Sequence, residues 1–135
     1  RYNKVQENIN IVYNWLEAGC LIQVDAGSIL GNLGHKAKMA SEIIIKQNWC
    51  QILGSDAHNN KNRNFVLKES LKVVESFIGD KSKRLVNEKP RAIINGSKIA
   101  TRLIENKIGA CYVHFGIINK METSIKPKLK AKNEN

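Results

Sequence analysis

The stretch from Cys20 to Gly54, CLIQVDAGSILGNLGHKAKMASEIIIKQNWCQILG, decides the fold. It opens with a short and nearly continuous apolar run, residues 20–25, which is typical of a strand covered on both faces. A helical pattern follows over about residues 36–48, and a second apolar run over 49–54 closes the stretch. A strand, a crossover helix and a second strand at this spacing predict a βαβ unit with parallel strands and a right-handed crossover. The sequence therefore predicts an α/β fold.

Helical patterns lie on both sides of this unit. Apolar residues three and four positions apart within residues 5–18 predict an amphipathic helix that Gly19 ends. A similar pattern over 65–78 predicts another helix, ended by Gly79. Inside the βαβ stretch, three glycines are expected to interrupt regular structure between the first strand and the crossover helix: Gly27, Gly31 and Gly34.

The last third of the chain has weaker patterns. Residues 81–95 predict two short helical turns around Pro90. A helix is expected over 99–108 and a strand over 110–118, and the chain ends in the lysine-rich segment KPKLKAKNEN, which is typical of a solvated tail. We therefore expect residues 97–135 to form a basic and partly disordered extension.

The composition excludes several classes of protein. The chain has 135 residues, of which 42% are hydrophobic and 25% charged, as in ordinary soluble globular proteins. A complete eight-unit α/β barrel needs ~250 residues and does not fit. There is no apolar run near the ~18 residues of a membrane span and no signal peptide, so a cytoplasmic location is expected. Three widely spaced cysteines without a CxxC pair favour a reducing compartment: Cys20, Cys50 and Cys111.

The positive charge is concentrated in the second half of the chain. The formal net charge is +10, yet residues 1–60 are neutral, while 61–96 and 97–135 each carry a net charge of +5. One hypothesis is therefore a non-enzymatic module whose basic half binds polyanions. A solvated tail explains the lysines of the last segment equally simply, so no specific nucleic-acid partner is predicted.

The tripeptide Asp56-Ala57-His58 follows the second predicted strand, where parallel α/β sheets collect their reactive side chains. A carboxylate and an imidazole two residues apart in extended backbone project to the same side and can bind one metal cluster. Arg63, on the same loop, has a guanidinium suited to two phosphate oxygens. The residues alone equally allow an Asp that caps a turn, a solvated His and a solvent-facing Arg.

Several segments together resemble a known family. They are Gln23-Val-Asp-Ala-Gly-Ser-Ile-Leu-Gly31, then Gly34, then Gly54-Ser-Asp-Ala-His-Asn59 and Arg63-Asn-Phe65. Over residues 1–96 the sequence resembles the C-terminal half of the PHP-type tyrosine-protein phosphatases of the CpsB/YwqE (CapC) kind, which are associated with bacterial capsule and exopolysaccharide synthesis. The Ser-Asp-Ala-His segment is shared widely among PHP metallohydrolases, whereas the glutamine-glycine block and the arginine are narrower signals.

The resemblance implies roles for four residues. Asp56 and His58 are expected to be ligands of a polynuclear, manganese-type metal centre, and Arg63 and Arg1 are expected to contact the substrate phosphate. The family's other ligands have no counterpart in these 135 residues, and His35 and His114 lack partners at ligand spacing. The chain is therefore expected to be the C-terminal portion of a PHP-type distorted (β/α) barrel and, taken by itself, to be inactive.

The resemblance also implies a reaction and a partner. The expected activity is metal-dependent hydrolysis of a phosphotyrosine ester without a cysteine nucleophile. The expected partner is a phosphotyrosine protein, such as a bacterial tyrosine kinase of polysaccharide export. A PHP-type small-molecule phosphatase, for example a histidinol-phosphate phosphatase, is an alternative that keeps the same Ser-Asp-Ala-His segment.

Overall fold

The structure, a computed structural model, describes residues 2–61 and 63–99 together with the backbone of residues 111–113. In these ranges a three-stranded parallel sheet runs in the order β2-β1-β3. Its strands are β1 (Cys20–Asp25), β2 (Ile52–Gly54) and β3 (Cys111–Val113). The predictions of an α/β fold, of parallel strands and of the 20–25 strand are confirmed, and β3 lies within the strand expected over 110–118.

The helices surround this sheet. They are α1 (Asn3–Glu7), α2 (Asn10–Glu17), α3 (Ala26–Leu30), α4 (His35–Lys46), α5 (Leu67–Ile78) and α6 (Glu88–Ile94), with a 3-10 helix over Gly79–Leu85. The crossover helix is α4, as predicted, and α5 corresponds to the helix predicted over residues 65–78. The two turns around Pro90 are the 3-10 helix and α6. Pro90 lies in the first turn of α6, where a missing N–H removes no intrahelical hydrogen bond.

The predicted helix over 5–18 is in fact two helices, because Asn8 interrupts it. The backbone of Asn8 is extended, with φ −143° and ψ 97°. Its side-chain oxygen accepts a hydrogen bond from the N–H of Asn10 at 3.1 Å. Asparagine side chains compete with the helical backbone in this way, so α1 ends here and α2 begins again two residues later.

The helix α3 was not predicted, since its glycines were expected to interrupt regular structure. Asp25, the last residue of β1, caps the helix: its carboxylate accepts a hydrogen bond from the N–H of Gly27 at 2.7 Å. Gly31 ends the helix in the left-handed conformation, with φ 88°. The glycines therefore permit one short helix and then stop it.

The strand expected over 49–54 is shorter than predicted, because Gln51 replaces one strand hydrogen bond with its side chain. The N–H of Gln51 donates to the carbonyl of Ile22 at 2.8 Å. Its side-chain Oε1 accepts from the N–H of the same residue, Ile22, at 2.7 Å. Beyond this point β1 and β2 pair regularly, with Gln23 opposite Ile52 and Asp25 opposite Gly54. Both strands consequently end at the same edge of the sheet.

One apolar core joins the sheet to the helices. It includes strand residues from β1 and β2 and residues from α2, α4 and α5, among them Ile22, Leu53, Leu16, Ile44 and Val74. Cys20 and Cys50 are both buried and pack in the core. None of the helices in the described ranges combines the length and hydropathy of a membrane-spanning segment. The predictions for the 99–108 helix and the terminal tail lie outside the described residues.

Candidate functional site

The candidate site lies on the loop between β2 and α5, at the sheet edge where β1 and β2 end. Asp56 follows β2 by two residues and has φ 48°, in the left-handed region that non-glycine residues seldom adopt. The prediction of extended backbone across Asp56 and His58 is therefore wrong. The side chains of Asp56 and His58 nevertheless lie close together, because the chain turns at Asp56 and the imidazole of His58 faces that residue.

The imidazole of His58 is oriented by the loop backbone. Its Nδ1 lies 2.8 Å from the carbonyl oxygen of Asp56 and 3.9 Å from the Oδ1 atom of the same residue. A carbonyl oxygen only accepts hydrogen bonds, so Nδ1 carries the proton in the neutral ring and Nε2 carries the lone pair. Histidines that bind metals typically donate their second ring N–H to a carbonyl or a carboxylate in this way.

Arg63 pairs with Asp56 across the loop. The Nη2 atom of Arg63 donates a hydrogen bond to Oδ2 of Asp56. The Asp56 side chain is only 8% exposed, whereas that of Arg63 is 36% exposed. The loop thus holds a guanidinium beside a nearly buried carboxylate and still leaves part of that guanidinium in contact with solvent. The structure brings three of the four predicted site residues together.

Hydrogen bonds inside the loop fix this arrangement. The carbonyl of Arg63 accepts from the N–H groups of His58 at 2.9 Å and of Asn59 at 3.2 Å. The side-chain oxygen of Asn59 accepts in turn from the N–H groups of Lys61 at 2.9 Å and of Arg63 at 3.1 Å. Asn59 ends one segment of the family resemblance, and the residue types alone indicate no role for it. Its side chain organises the loop, as asparagine commonly does in turns.

Gln23 and Gly54 meet at the base of the loop. A Cβ atom on Gly54 would lie 2.6 Å from Nε2 of Gln23, closer than side-chain contacts allow. Glycine at the last position of β2 therefore leaves room for the Gln23 side chain to lie across the strand end.

Of the other candidate residues, only His35 belongs to the described part of the chain. Arg1 and His114 lie outside the described residues, and His35 is the exposed first residue of α4. Among residues 2–61 and 63–99, no group of three or more His, Cys, Asp and Glu side chains is placed to hold a metal ion. The described site therefore offers two side chains of metal-ligand type, Asp56 and His58, and one cation, Arg63.

Comparison with known proteins places this loop in a family context. The family model for capsular polysaccharide synthesis, CpsB/CapC, matches residues 1–95. The chain belongs to this CpsB/CapC family. The match covers β1, α4, β2 and the whole loop from Asp56 to Arg63, and it ends before residues 111–113 of β3.

Individual relatives agree with this assignment. The chain is 30% identical over 99 residues to the tyrosine-protein phosphatase YwqE of Bacillus subtilis (strain 168), an alignment that covers 73% of this chain and 39% of that protein. It is 32% identical over 69 residues to CapC of Staphylococcus aureus, which covers 51% of this chain and 27% of the relative. The chain thus spans well under half the length of the relatives it matches.

The fold is shared as well. The chain superposes with a TM-score of 0.66 and 30% identity on a structure from a crystallographic study of YwqE from Bacillus subtilis and CpsB from Streptococcus pneumoniae. Those two proteins are described as unique metal-dependent tyrosine phosphatases. The superposition covers 72% of this chain and 39% of the other, so the similarity concerns one part of that larger fold.

Proposed function

We propose that this chain carries part of the active site of a metal-dependent protein-tyrosine phosphatase of capsule and exopolysaccharide synthesis. The observation that carries the proposal is the convergence of Asp56, His58 and Arg63 on one loop, in a chain that belongs to the CpsB/CapC family. The substrate would be a phosphotyrosine protein, for which a bacterial tyrosine kinase of polysaccharide export is our candidate. The named relatives favour this activity over the histidinol-phosphate and polyanion-binding alternatives.

The donor atoms at the site fit a metal of the manganese type. A carboxylate and a neutral imidazole are both suitable ligands for such ions. His58 has the required orientation, because its Nδ1 faces the carbonyl of Asp56 and Nε2 carries the lone pair. When bound, the metals would lower the pKa of a water molecule so that hydroxide is available near neutral pH. The resemblance assigns no further metal ligand to this chain, so the chain alone is proposed to be inactive.

Arg63 would act on the phosphate. Its planar guanidinium can donate two parallel hydrogen bonds to phosphoryl oxygens, which spreads the charge that develops on them during the transfer. Asp56 holds Arg63 at the site before any substrate arrives, which lowers the entropic cost of positioning it. By the family resemblance, Arg1 would be a second phosphate contact.

Residues 1–96 and residues 97–135 are proposed to be separate parts of the chain. We propose that the segment of residues 1–96, built around β1, α4 and β2, corresponds to the C-terminal portion of a PHP-type distorted (β/α) barrel. Residues 97–135 would be a basic extension that follows it. The parallel pairing of the strands and the structural similarity to one part of the larger relatives support this proposal.

Manganese binding tests the proposed ligands directly. We expect Asp56→Asn and His58→Ala each to weaken Mn²⁺ binding by roughly tenfold or more, since each removes a charge or a donor atom from the first coordination shell. The substitution Asp56→Asn keeps a residue type that tolerates positive φ. Electron paramagnetic resonance of free Mn²⁺ during a titration measures the affinity.

His35→Ala is the matched control, because it removes an exposed histidine from the start of α4 and should leave the affinity unchanged. Equal Mn²⁺ binding by the wild type and all three variants would contradict the ligand assignment. Clear turnover of phenyl phosphate by this chain with Mn²⁺ would contradict the separate statement that further ligands are needed.

A further inference from the structure

Phe65 is an exposed aromatic residue beside the candidate site. It is 62% exposed and lies two positions after Arg63. Consecutive Cα atoms are 3.80 Å apart, so the Cα atoms of these two residues are at most ~7.6 Å apart. A phenyl ring exposed to this extent forgoes most of the burial that usually stabilises a phenylalanine, and it is accessible to a ligand.

The usual structural roles do not account for Phe65. In the described part of the chain, it is not among the partly buried apolar residues that pack against the core. Phenylalanine just before a helix cap can form a hydrophobic staple with the fourth helical residue. Here that residue is Ser70, whose hydroxyl donates to the carbonyl of Leu67 at 2.9 Å, so the apolar partner of a staple is missing.

The backbone on both sides of Phe65 is held in place. On the site side, Arg63 is bonded to Asp56 and Asn59. The N–H of Phe65 itself donates to the side-chain oxygen of Asn64 at 2.7 Å, and α5 begins at Leu67. The backbone that carries the ring is therefore held close to that of Arg63, and the ring is largely exposed to solvent.

We propose that Phe65 contacts the aromatic ring of an aryl phosphate while Arg63 binds its phosphate. This inference rests on the proposed function and adds a determinant of specificity: the ring of phosphotyrosine is bonded directly to the phosphate ester oxygen, so one ligand can reach both side chains. Two aromatic rings attract each other in offset or edge-to-face arrangements, and an alkyl phosphate offers no such partner. Phe65 would thus favour aryl over alkyl phosphates.

Phosphonates that the protein cannot hydrolyse test this proposal. Isothermal titration calorimetry of the chain with Mn²⁺ present would compare phenylphosphonate with methylphosphonate. We expect the wild type to prefer phenylphosphonate by roughly two- to tenfold, the range given by aromatic pairs. Phe65→Leu should abolish the preference and Phe65→Tyr should keep it, while methylphosphonate binds all three proteins equally.

Ile94→Ala is the matched control, since Ile94, at 83%, is the most exposed large apolar residue in the part of the chain that the structure describes and lies at the end of α6. A wild type that binds both phosphonates equally would overturn the role of Phe65 and leave the proposed function standing, provided that Arg63→Ala weakens both. A parallel loss of both affinities in Phe65→Leu would show a loop-supporting role and would also overturn it. If neither phosphonate binds the wild type, the phosphate role of Arg63 fails together with the inference.

Discussion

Two aspartates at the same edge of the sheet have different surroundings. Asp25 is the last residue of β1, is 6% exposed, and its carboxylate accepts the N–H of Gly27 at the start of α3. Asp56 follows the end of the neighbouring strand β2, and its carboxylate binds the guanidinium of Arg63. Both side chains are nearly buried, yet the first stabilises a helix and the second belongs to the candidate site.

The chain that follows each aspartate determines this difference. After Asp25 a helix begins at once, so its carboxylate accepts from a backbone N–H of that helix and acts as its cap. After Asp56 a polar loop returns on itself, so the carboxylate accepts from the Arg63 side chain, while His58 bonds the backbone carbonyl of Asp56. In this chain the carboxylate of Asp25 is engaged by the helix that it caps, whereas that of Asp56 is held by a loop side chain at the candidate site.

Measurements of stability test most directly whether the two aspartates have these different roles. We expect Asp25→Ala to lower the free energy of unfolding by about 1–2 kcal/mol, as for other lost helix caps. Asp56→Asn should lower it by less than about 1 kcal/mol, because the Arg63 partner is partly solvated. Urea unfolding measures both, with Asp25→Asn as the control that keeps an acceptor oxygen. An equal or larger loss for Asp56→Asn would show that its ion pair is structural.

At the opposite end of β2, the buried thiol of Cys50 makes the free energy of unfolding depend on pH. Burial raises the pKa of the Cys50 thiol from 9.0 to about 12. Between these two values the unfolded chain releases the thiol proton and the folded chain keeps it, so the stability contributed by Cys50 is lost as the pH rises through this window. From pH 8 to pH 10 the wild type should therefore lose roughly 1 kcal/mol more than Cys50→Ala.

Urea unfolding at the two pH values measures this difference. Lys89 donates to the carbonyl of Cys50 at 3.1 Å, and burial lowers the pKa of Lys89, which shifts stability in the opposite direction. This backbone contact remains possible in Cys50→Ala, so the difference between the two proteins reports mainly on the thiol. Parallel pH profiles would show that Cys50 is more accessible than the structure indicates.

Loop order is the smallest of the expected effects. Asn59→Ala removes the acceptor for two loop amides, whereas Asn60→Ala changes an exposed neighbour. We expect hydrogen exchange at the amides of Lys61 and Arg63 to become severalfold faster only in Asn59→Ala. The free energy of unfolding should change by less than about 0.5 kcal/mol in both variants. Equal exchange rates in the two variants would show that the Asn59 side chain does not order the loop.

Apolar periodicity predicted the parts of the fold that apolar burial determines. The first strand, the crossover helix α4 and the helix α5 have this pattern, and they lie where the sequence placed them. The differences arise where one polar side chain bonds the backbone: Asn8 divides a helix, Asp25 starts one, and Gln51 shortens a strand. A polar residue in a sequence does not show which of its donors or acceptors will find a backbone partner.

The candidate site was predictable to a similar extent. The family resemblance and the position after β2 gave Asp56, His58 and Arg63, and the structure brings the three together. The left-handed turn at Asp56 and the role of Asn59 could not be foreseen, because both depend on hydrogen bonds between residues across the loop. Residue types indicated the chemistry, and loop closure determined the geometry.

Gln51 also fixes where the loop begins. With only three residues, β2 has little pairing of its own to prevent a slip along β1, and a slip by one residue would turn every side chain to the opposite face. The Oε1 atom of Gln51 accepts from the N–H of Ile22 in the observed alignment, and a slip would separate these two atoms. Gln51 thus helps to set the register of β2 against β1. Because Asp56 follows Gln51 by five residues, this register determines where Asp56 lies at the sheet edge.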